Sequence, residues 1–146
     1  MARVLRLGAS AVMLGTRFVA TRESRAHAEY KRLLIEAEPG ESALTVCFDG
    51  GWPYAAHRVL RNATLEAWEA AGCPPVGQRP GEGESIGTSA DGAPILRYED
   101  TAPRSGFTGD IAAMCCYAGT SCAAIHDLPS ATDLVPRLWE ECLSAL

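Results

Sequence analysis

The chain has 146 residues, 47% of them hydrophobic, and carries a formal net charge of -5. This length and composition predict one globular domain with a sizeable core and exclude a disordered chain. Phosphate backbones and anionic membrane surfaces attract concentrated positive patches, so neither nucleic acid nor a membrane is expected as a partner. No apolar run reaches the ~20 residues of a membrane helix, and the start lacks a signal-peptide core, so a cytoplasmic protein is expected.

The first predicted elements lead to a Gly-Thr pair. Residues 2–7 are typical of the last turn of a helix with Gly8 as its cap, and residues 9–14 predict a strand. Apolar side chains follow one another along this strand without alternation, as in a parallel sheet that is covered on both faces. A parallel strand needs flanking strands delivered by crossover helices, and none precedes it in the chain.

The middle of the chain predicts further helices and strands. A helix is expected to begin near Thr21 or Ser24 and to end before Pro39. Later elements are a strand over residues 43–48, a helix over 63–71 with Asn62 as its cap, and a hairpin formed by 84–89 and 93–98 around Asp91-Gly92.

The C-terminal part predicts two helices, over residues 110–117 and 131–144. Ser130 can cap the second helix by accepting a hydrogen bond from a free amide. Pro136 removes one helical hydrogen bond, so a kink or a late start is expected. The six cysteines form no C-x-x-C pair and are expected to be free thiols, without a metal site, at positions 47, 73, 115, 116, 122 and 142.

A Gly-Thr pair after a strand supplies groups that suit a phosphate. Gly15 lets a ligand approach the backbone closely, and the hydroxyl of Thr16 adds a donor to the free N–H groups. A following helix would add the positive end of its dipole. The motif by itself also describes an ordinary turn, so the surrounding sequence has to decide.

The string from Leu7 to Lys31, which includes Gly15-Thr-Arg-Phe18 and Ala26-His-x-x-Tyr-Lys31, resembles the eighth strand and following loop of nitronate monooxygenases. These are FMN-dependent TIM-barrel enzymes. The resemblance continues over essentially the whole chain, in the blocks TVCFDGGWP (45–53), HRVLRN (57–62), GQRPGEG (77–83), YAG (117–119) and IHDLPSA (125–131).

The resemblance implies an α/β chain that forms the C-terminal part of a TIM (β/α)8 barrel and is incomplete as a barrel. Residues 1–20 would be the last strand and the phosphate-binding turn. Residues 21–108 would be a helical and hairpin excursion resembling a lid, and residues 109–146 the closing helices. A full barrel takes ~250 residues, so a truncated gene product or a late start codon is expected, with missing N-terminal sequence completing the barrel.

The resemblance also implies a cofactor site. Enzymes of this family hold the FMN phosphate with a Gly-Gly segment after the seventh strand and a Gly-Thr pair after the eighth, which corresponds here to Gly15 and Thr16. The family's catalytic histidine precedes the eighth strand, so no catalytic residue carries over. His27, His57 and His126 lie downstream and are expected to serve packing and hydrogen bonding.

The implied activity is oxidation of an alkyl nitronate or nitroalkane by O₂ with FMN as cofactor. One alternative is an FMN-dependent enoyl-acyl-carrier-protein reductase, whose Gly-Thr-Arg-Phe and Ala-His-x-x-Tyr-Lys blocks are similar. The block over residues 48–53 favours the monooxygenase. The other alternative is an inactive remnant or interaction module, because the catalytic histidine and the first half of the flavin site have no match in the sequence.

Overall fold

The computed structural model describes residues 1–146. Short strands and five α-helices alternate with long loops. The helices are α1 (Ala2–Arg6), α2 (Thr16–Val19), α3 (Ala28–Glu36), α4 (Ala63–Ala70) and α5 (Ala131–Ser144). The strands are β1 (Ser42–Thr45), β2 (His57–Leu60), β3 (Ser85–Thr88), β4 (Pro94–Leu96) and β5 (Thr108–Gly109). Two 3₁₀ helices cover Ile111–Ala113 and Thr120–Ala124.

The strands form two small antiparallel sheets. In the first, β1 pairs with β2, with Ser42 opposite Leu60 and Thr45 opposite His57. In the second, β3 lies between β4 and β5 and shifts register between Ser85 and Gly87. The α/β content agrees with the sequence interpretation, although every pairing within these sheets is antiparallel.

The strand predicted over residues 9–14 is not formed. These residues pair with no other strand, and neither the N–H nor the C=O groups of residues 10–14 form a hydrogen bond within the chain. Met13 is 97% exposed. A strand requires partners for its backbone groups, and the chain places none beside this segment.

The core consists of three clusters that one segment, residues 111–125, connects. Met114 belongs to the cluster under β3 and β4, Cys115 to the cluster between β2 and α4, and Cys116 to the cluster beside α3. Three consecutive side chains can enter three clusters because the backbone is extended at Met114, with φ -78° and ψ 172°. The prediction of a helix over residues 110–117 is therefore wrong, and only the 3₁₀ turn Ile111–Ala113 forms there.

Elements with strong local signals form as predicted. Asn62 caps α4 by accepting from Leu65 N at 3.0 Å, and Ser130 caps α5 by accepting from Asp133 N at 3.0 Å. The hairpin of β3 and β4 turns at Asp91-Gly92. Helix α5 contains Pro136 and begins at Ala131, so of the two predicted consequences, a kink or a late start, the late start does not occur.

Two predicted elements are shorter than expected. Helix α3 begins at Ala28 rather than near Thr21 or Ser24, because His27 caps it and the carbonyls of the preceding loop bind the ammonium of Lys31. Strand β1 ends at Thr45, where the hydroxyl accepts from Cys47 N at 3.0 Å. None of the helices combines the length and apolar character that a bilayer-spanning segment requires.

Candidate functional site

The Gly15-Thr16 turn presents open backbone on one side. Gly15 is exposed and precedes the single turn of α2, and a Cβ atom placed on it would meet no atom within 4 Å. Its carbonyl accepts from Phe18 N at 2.9 Å and from Val19 N at 3.1 Å, which closes the turn. Because α2 has four residues, the dipole contribution that the sequence predicted is limited to one turn.

Three consecutive amides at this turn have no acceptor within the chain. The N–H groups of Gly15, Thr16 and Arg17 donate to no other residue. The hydroxyl oxygen of Thr16 accepts from Gly119 N at 2.9 Å, so its own hydrogen remains available as a donor. Free amides beside a free hydroxyl suit an anion such as a phosphate. The residues present therefore fit one wall of a phosphate site.

The guanidinium of Arg17 is directed away from this wall. It donates to Asp127 Oδ1 at 2.6 Å and to the Asp127 carbonyl at 3.2 Å, while Arg137 donates to Asp127 Oδ2 at 2.7 Å. The hydrogen bond from Arg137, together with the charges of both arginines, lowers the pKa of Asp127. These contacts fix the start of α2 against the loop before α5.

The block His27-x-x-Tyr30-Lys31 organises the chain that follows the turn. His27 Nδ1 accepts from Glu29 N at 3.1 Å and caps α3. The buried ammonium of Lys31 donates to the carbonyls of Thr21 and Ser24, each at 2.7 Å. The resemblance block thus has a physical role, which is to hold the loop between α2 and α3.

Tyr30 connects the same helix to a second segment of the site. Its hydroxyl donates to the carbonyl of Tyr117. Burial raises the pKa of Tyr30 well above its usual range, so this hydroxyl stays protonated and remains a donor at ordinary pH.

The segment Tyr117–Gly119 lies between β2 and Thr16. It runs beside β2, because Leu60 N donates to Cys116 O at 2.8 Å and Ala118 N donates to Arg58 O at 2.9 Å. The hydroxyl of Ser42 donates to Ala118 O at 2.6 Å. The sequence interpretation missed the role of this segment, since Tyr117 was assigned to the end of a helix over residues 110–117. The Tyr-Ala-Gly block was the only signal that marked it.

The three histidines have separate surroundings. His27 caps α3, His126 is exposed, and His57 lies in β2 with its ring edge-on to that of Tyr117 at 5.7 Å between centroids. His57 Nδ1 lies 2.8 Å from the carbonyl of Ala55. None of the three forms a hydrogen bond with Gly15 or Thr16. The expectation of packing and hydrogen bonding fits the contacts of His27 and His57, whereas the exposed side chain of His126 forms no hydrogen bond.

A buried ion pair connects two other resemblance blocks. Arg79 donates to Asp49 Oδ1 at 2.7 Å and to Asp49 Oδ2 at 3.0 Å, and its guanidinium lies 5.2 Å from the centre of the Tyr98 ring. The side chains of Arg79 and Asp49 are 6% and 9% exposed. The pair forms no hydrogen bond with Gly15 or Thr16, and it connects the segment after β1 to the loop before β3.

All six cysteines are free thiols, and five of them are buried. Burial raises the pKa of Cys47, Cys115 and Cys116, each to about 12. Thiols with such pKa values are not nucleophiles at neutral pH. The vicinal pair Cys115 and Cys116 therefore serves the core, with each side chain in a different cluster.

Comparisons with known proteins agree with the fold. A family model described as nitronate monooxygenase matches residues 1–141. No curated protein matches the chain. A mutant of FabK from Thermotoga maritima has a similar structure, with a TM-score of 0.66 at 22% identity over 99% of this chain and 38% of the FabK chain. A second FabK structure from that organism gives 0.64 at 23% identity, over 99% and 40%.

This chain spans about two fifths of the length of these FabK structures. At such identities the likeness to FabK shows the fold alone. The family match extends from the first residue through most of α5 and includes the Gly15-Thr16 turn, the α3 block and the Tyr117–Gly119 segment. On this evidence the chain belongs to the nitronate monooxygenase family.

Proposed function

We propose that the chain carries the Gly-Thr half of the phosphate site in an FMN-dependent oxidoreductase of the nitronate monooxygenase type. The observation that carries the proposal is the row of free N–H groups at Gly15, Thr16 and Arg17 beside the free hydroxyl hydrogen of Thr16. FMN ends in a phosphate monoester, which accepts hydrogen bonds of this kind. Membership of the family supports a flavin as the cofactor.

In this proposal the protein binds and orients FMN, and FMN supplies the redox chemistry when bound. Gly15 lets the phosphate approach the backbone, and Thr16 donates one hydrogen bond to it. Lys31 and Tyr30 hold the loop and the segment Tyr117–Gly119 in place around the turn. The proposed substrate is an alkyl nitronate or nitroalkane that O₂ ultimately oxidises. The family's second phosphate-binding segment and its catalytic base have no counterpart among these 146 residues, and we propose that another part of the enzyme supplies them.

Residues 9–14 are the place where we propose that this remaining part attaches. The backbone groups of residues 10–14 form no hydrogen bond within the chain, and Val12 and Leu14 line a cleft together with four other apolar residues, Met1, Phe18, Val135 and Leu138. Parallel strands on either side would satisfy the free groups and cover the apolar side chains. The length of the FabK chains beyond the two fifths matched here is enough for such strands.

An FMN titration tests the cofactor proposal. Flavin fluorescence is followed while the purified chain is added, with the Gly15→Val variant as the comparison. We expect quenching with the natural chain and a weaker affinity for Gly15→Val, since its side chain would stand where the phosphate approaches. Absence of any FMN binding by the natural chain would favour the remnant or interaction module over a cofactor role.

The second candidate is the FMN-dependent enoyl-acyl-carrier-protein reductase, which the likeness to the FabK structures suits about equally. Turnover of the complete enzyme discriminates the two. A nitronate monooxygenase consumes O₂ when ethyl nitronate is added, whereas the reductase oxidises NADH or NADPH only when an enoyl thioester is present. Oxygen consumption without nitronate, or thioester-dependent oxidation of the nicotinamide, would contradict the leading proposal.

A further inference from the structure

The hydroxyl of Thr16 is held from one side by a backbone amide that is distant in sequence. Gly119 N donates to Thr16 Oγ1 at 2.9 Å, and no other residue of the chain contacts this oxygen through a hydrogen bond. A threonine hydroxyl has one hydrogen to donate and two lone pairs that accept. The amide of Gly119 occupies a lone pair, so the hydroxyl is left with its hydrogen for a further partner.

Gly119 itself is anchored by the segment that precedes it. Ala118 is bonded on both sides, through its N–H to Arg58 O at 2.9 Å and through its carbonyl to Ser42 Oγ at 2.6 Å. Tyr117 O accepts from the hydroxyl of Tyr30. The direction of the Gly119 N–H is therefore fixed by β1, β2 and α3 together.

We infer that the segment Tyr117–Gly119 is a positioning element for the phosphate, because the Gly119 N–H directs the Thr16 hydroxyl to act as a donor toward it. The inference rests on the proposed function of the Gly15-Thr16 turn. A hydroxyl that turns freely also presents its lone pairs, which a negatively charged phosphate repels. With one lone pair occupied and the oxygen held in place, the donor orientation needs no further ordering when the phosphate binds.

The side chain allowed at position 119 follows from the same geometry. Gly119 has φ -70° and ψ 167°, which any residue adopts, so its backbone angles do not call for glycine. A Cβ atom there would lie 3.4 Å from Thr16 Oγ1. Alanine therefore just fits, while the branched side chain of valine would push the Thr16 hydroxyl out of place.

The test compares affinities for FMN and for riboflavin, which lacks the phosphate. The variants are Thr16→Val, which removes the hydroxyl, Thr16→Ser, which keeps it, and Gly119→Val. Thr120→Val is the matched control, since Thr120 is exposed and forms no side-chain hydrogen bond. We expect the preference for FMN over riboflavin to fall about ten- to a hundredfold in Thr16→Val and Gly119→Val, and to stay unchanged in Thr16→Ser and Thr120→Val.

A second measurement needs no flavin. The amide of Gly119 should exchange its hydrogen slowly in the natural chain and in Thr16→Ser, and faster in Thr16→Val, because only the hydroxyl oxygen accepts from it. Unchanged exchange in Thr16→Val overturns the inference, as does an unchanged FMN preference in a folded Thr16→Val variant. A natural chain that binds neither flavin contradicts the proposed function instead, and this result is distinguishable because the exchange measurement is independent of flavin.

Discussion

Two segments that flank Thr16 differ in how they satisfy their backbone. The segment Tyr117–Gly119 is engaged by β1, β2, α3 and Thr16. Residues 10–14, on the other side, form no backbone hydrogen bond at all within the chain. Unsatisfied N–H and C=O groups are costly when buried. The first segment therefore belongs to the body of the molecule, the part that the three core clusters hold together, whereas burial of the second would require backbone partners that the chain does not place beside it.

The difference has a consequence for the candidate site. Thr16 lies at the boundary, with its hydroxyl oxygen held by Gly119 N and its backbone N–H without an acceptor in the chain. In the proposed function these groups form one wall of a phosphate site, and the opposite wall is proposed to come from the remaining part of the enzyme. We expect perturbations of the body to be costly and perturbations of the open segment to be tolerated.

The largest difference is expected between the alkylation rates of exposed and buried cysteines, because these rates depend on how well the core excludes solvent. At pH 8 iodoacetamide should modify Cys73 readily, because it is exposed. Burial raises the pKa of Cys115 and Cys116 from 9.0 to about 12, which lowers their thiolate fraction about a thousandfold. Mass spectrometry of the modified peptides measures the rates. Modification of Cys115 or Cys116 as fast as Cys73 would show that the body opens.

The same thiols predict a pH dependence of stability. Their folded pKa values lie above those of the unfolded chain, so the folded state is favoured fully below about pH 9, where both states hold the proton. This contribution should be lost as the pH rises from 9 toward 12, since the unfolded thiols ionise first. Urea unfolding at pH 7, 9 and 10 measures the loss, and replacing Cys115 by Ala should reduce it.

The next largest effect is expected from the buried ion pair. Arg79→Met leaves the Asp49 carboxylate buried without its partner, so the free energy of unfolding should fall by about 3–5 kcal/mol. The matched control is Arg61→Met, whose partner Glu69 is half exposed and whose loss should cost less than about 1 kcal/mol. Urea denaturation of the two variants measures both values. Equal costs would contradict the structural role assigned to Asp49 and Arg79.

A smaller effect is expected from the lysine under the loop that follows α2. Lys31→Met keeps the aliphatic chain but leaves the carbonyls of Thr21 and Ser24 without their donor, which should cost about 2–3 kcal/mol. Hydrogen exchange should also become faster over residues 20–27. The control is Arg32→Met on the exposed side of α3, where loss of the ion pairs with Glu29 and Glu36 should cost less than about 1 kcal/mol.

The sequence predicted the elements whose determinants lie within a few residues. The caps Asn62 and Ser130 bond amides three positions away, and Asp91-Gly92 supplies a turn to strands on either side of it. The turn at Gly15-Thr16 could be predicted for the same reason, since the hydrogen bonds that close it come from Phe18 and Val19.

Interactions between distant residues escaped the sequence interpretation. Thr16 and Gly119 are 103 positions apart, and Asp49 and Arg79 are 30 apart, so no local pattern shows that they meet. The apolar run Met114-Cys115-Cys116 fits a buried helix or an extended segment, and it is extended through three clusters because β2 bonds Cys116 and pairs with Tyr117. Tertiary pairing decided the conformation there, as it often does for short apolar runs.

The smallest change in the free energy of unfolding is expected in residues 9–14. A methionine there, Met13, has a buried counterpart in the core, Met114. Met13 is 97% exposed and Met114 is 1% exposed. Met13→Gln should change the free energy of unfolding of this chain by less than about 0.5 kcal/mol, because its side chain gains no burial on folding. Met114→Gln places an amide in an apolar cluster and should cost about 2–4 kcal/mol.

Urea denaturation of the two variants decides whether the comparison holds. A cost above about 1 kcal/mol for Met13→Gln would mean that residues 9–14 are already covered in this chain, and the boundary drawn at Thr16 would then be wrong. A small cost here, followed by a larger one when the same substitution is made in a longer form of the protein, would support the proposal that further strands cover Met13.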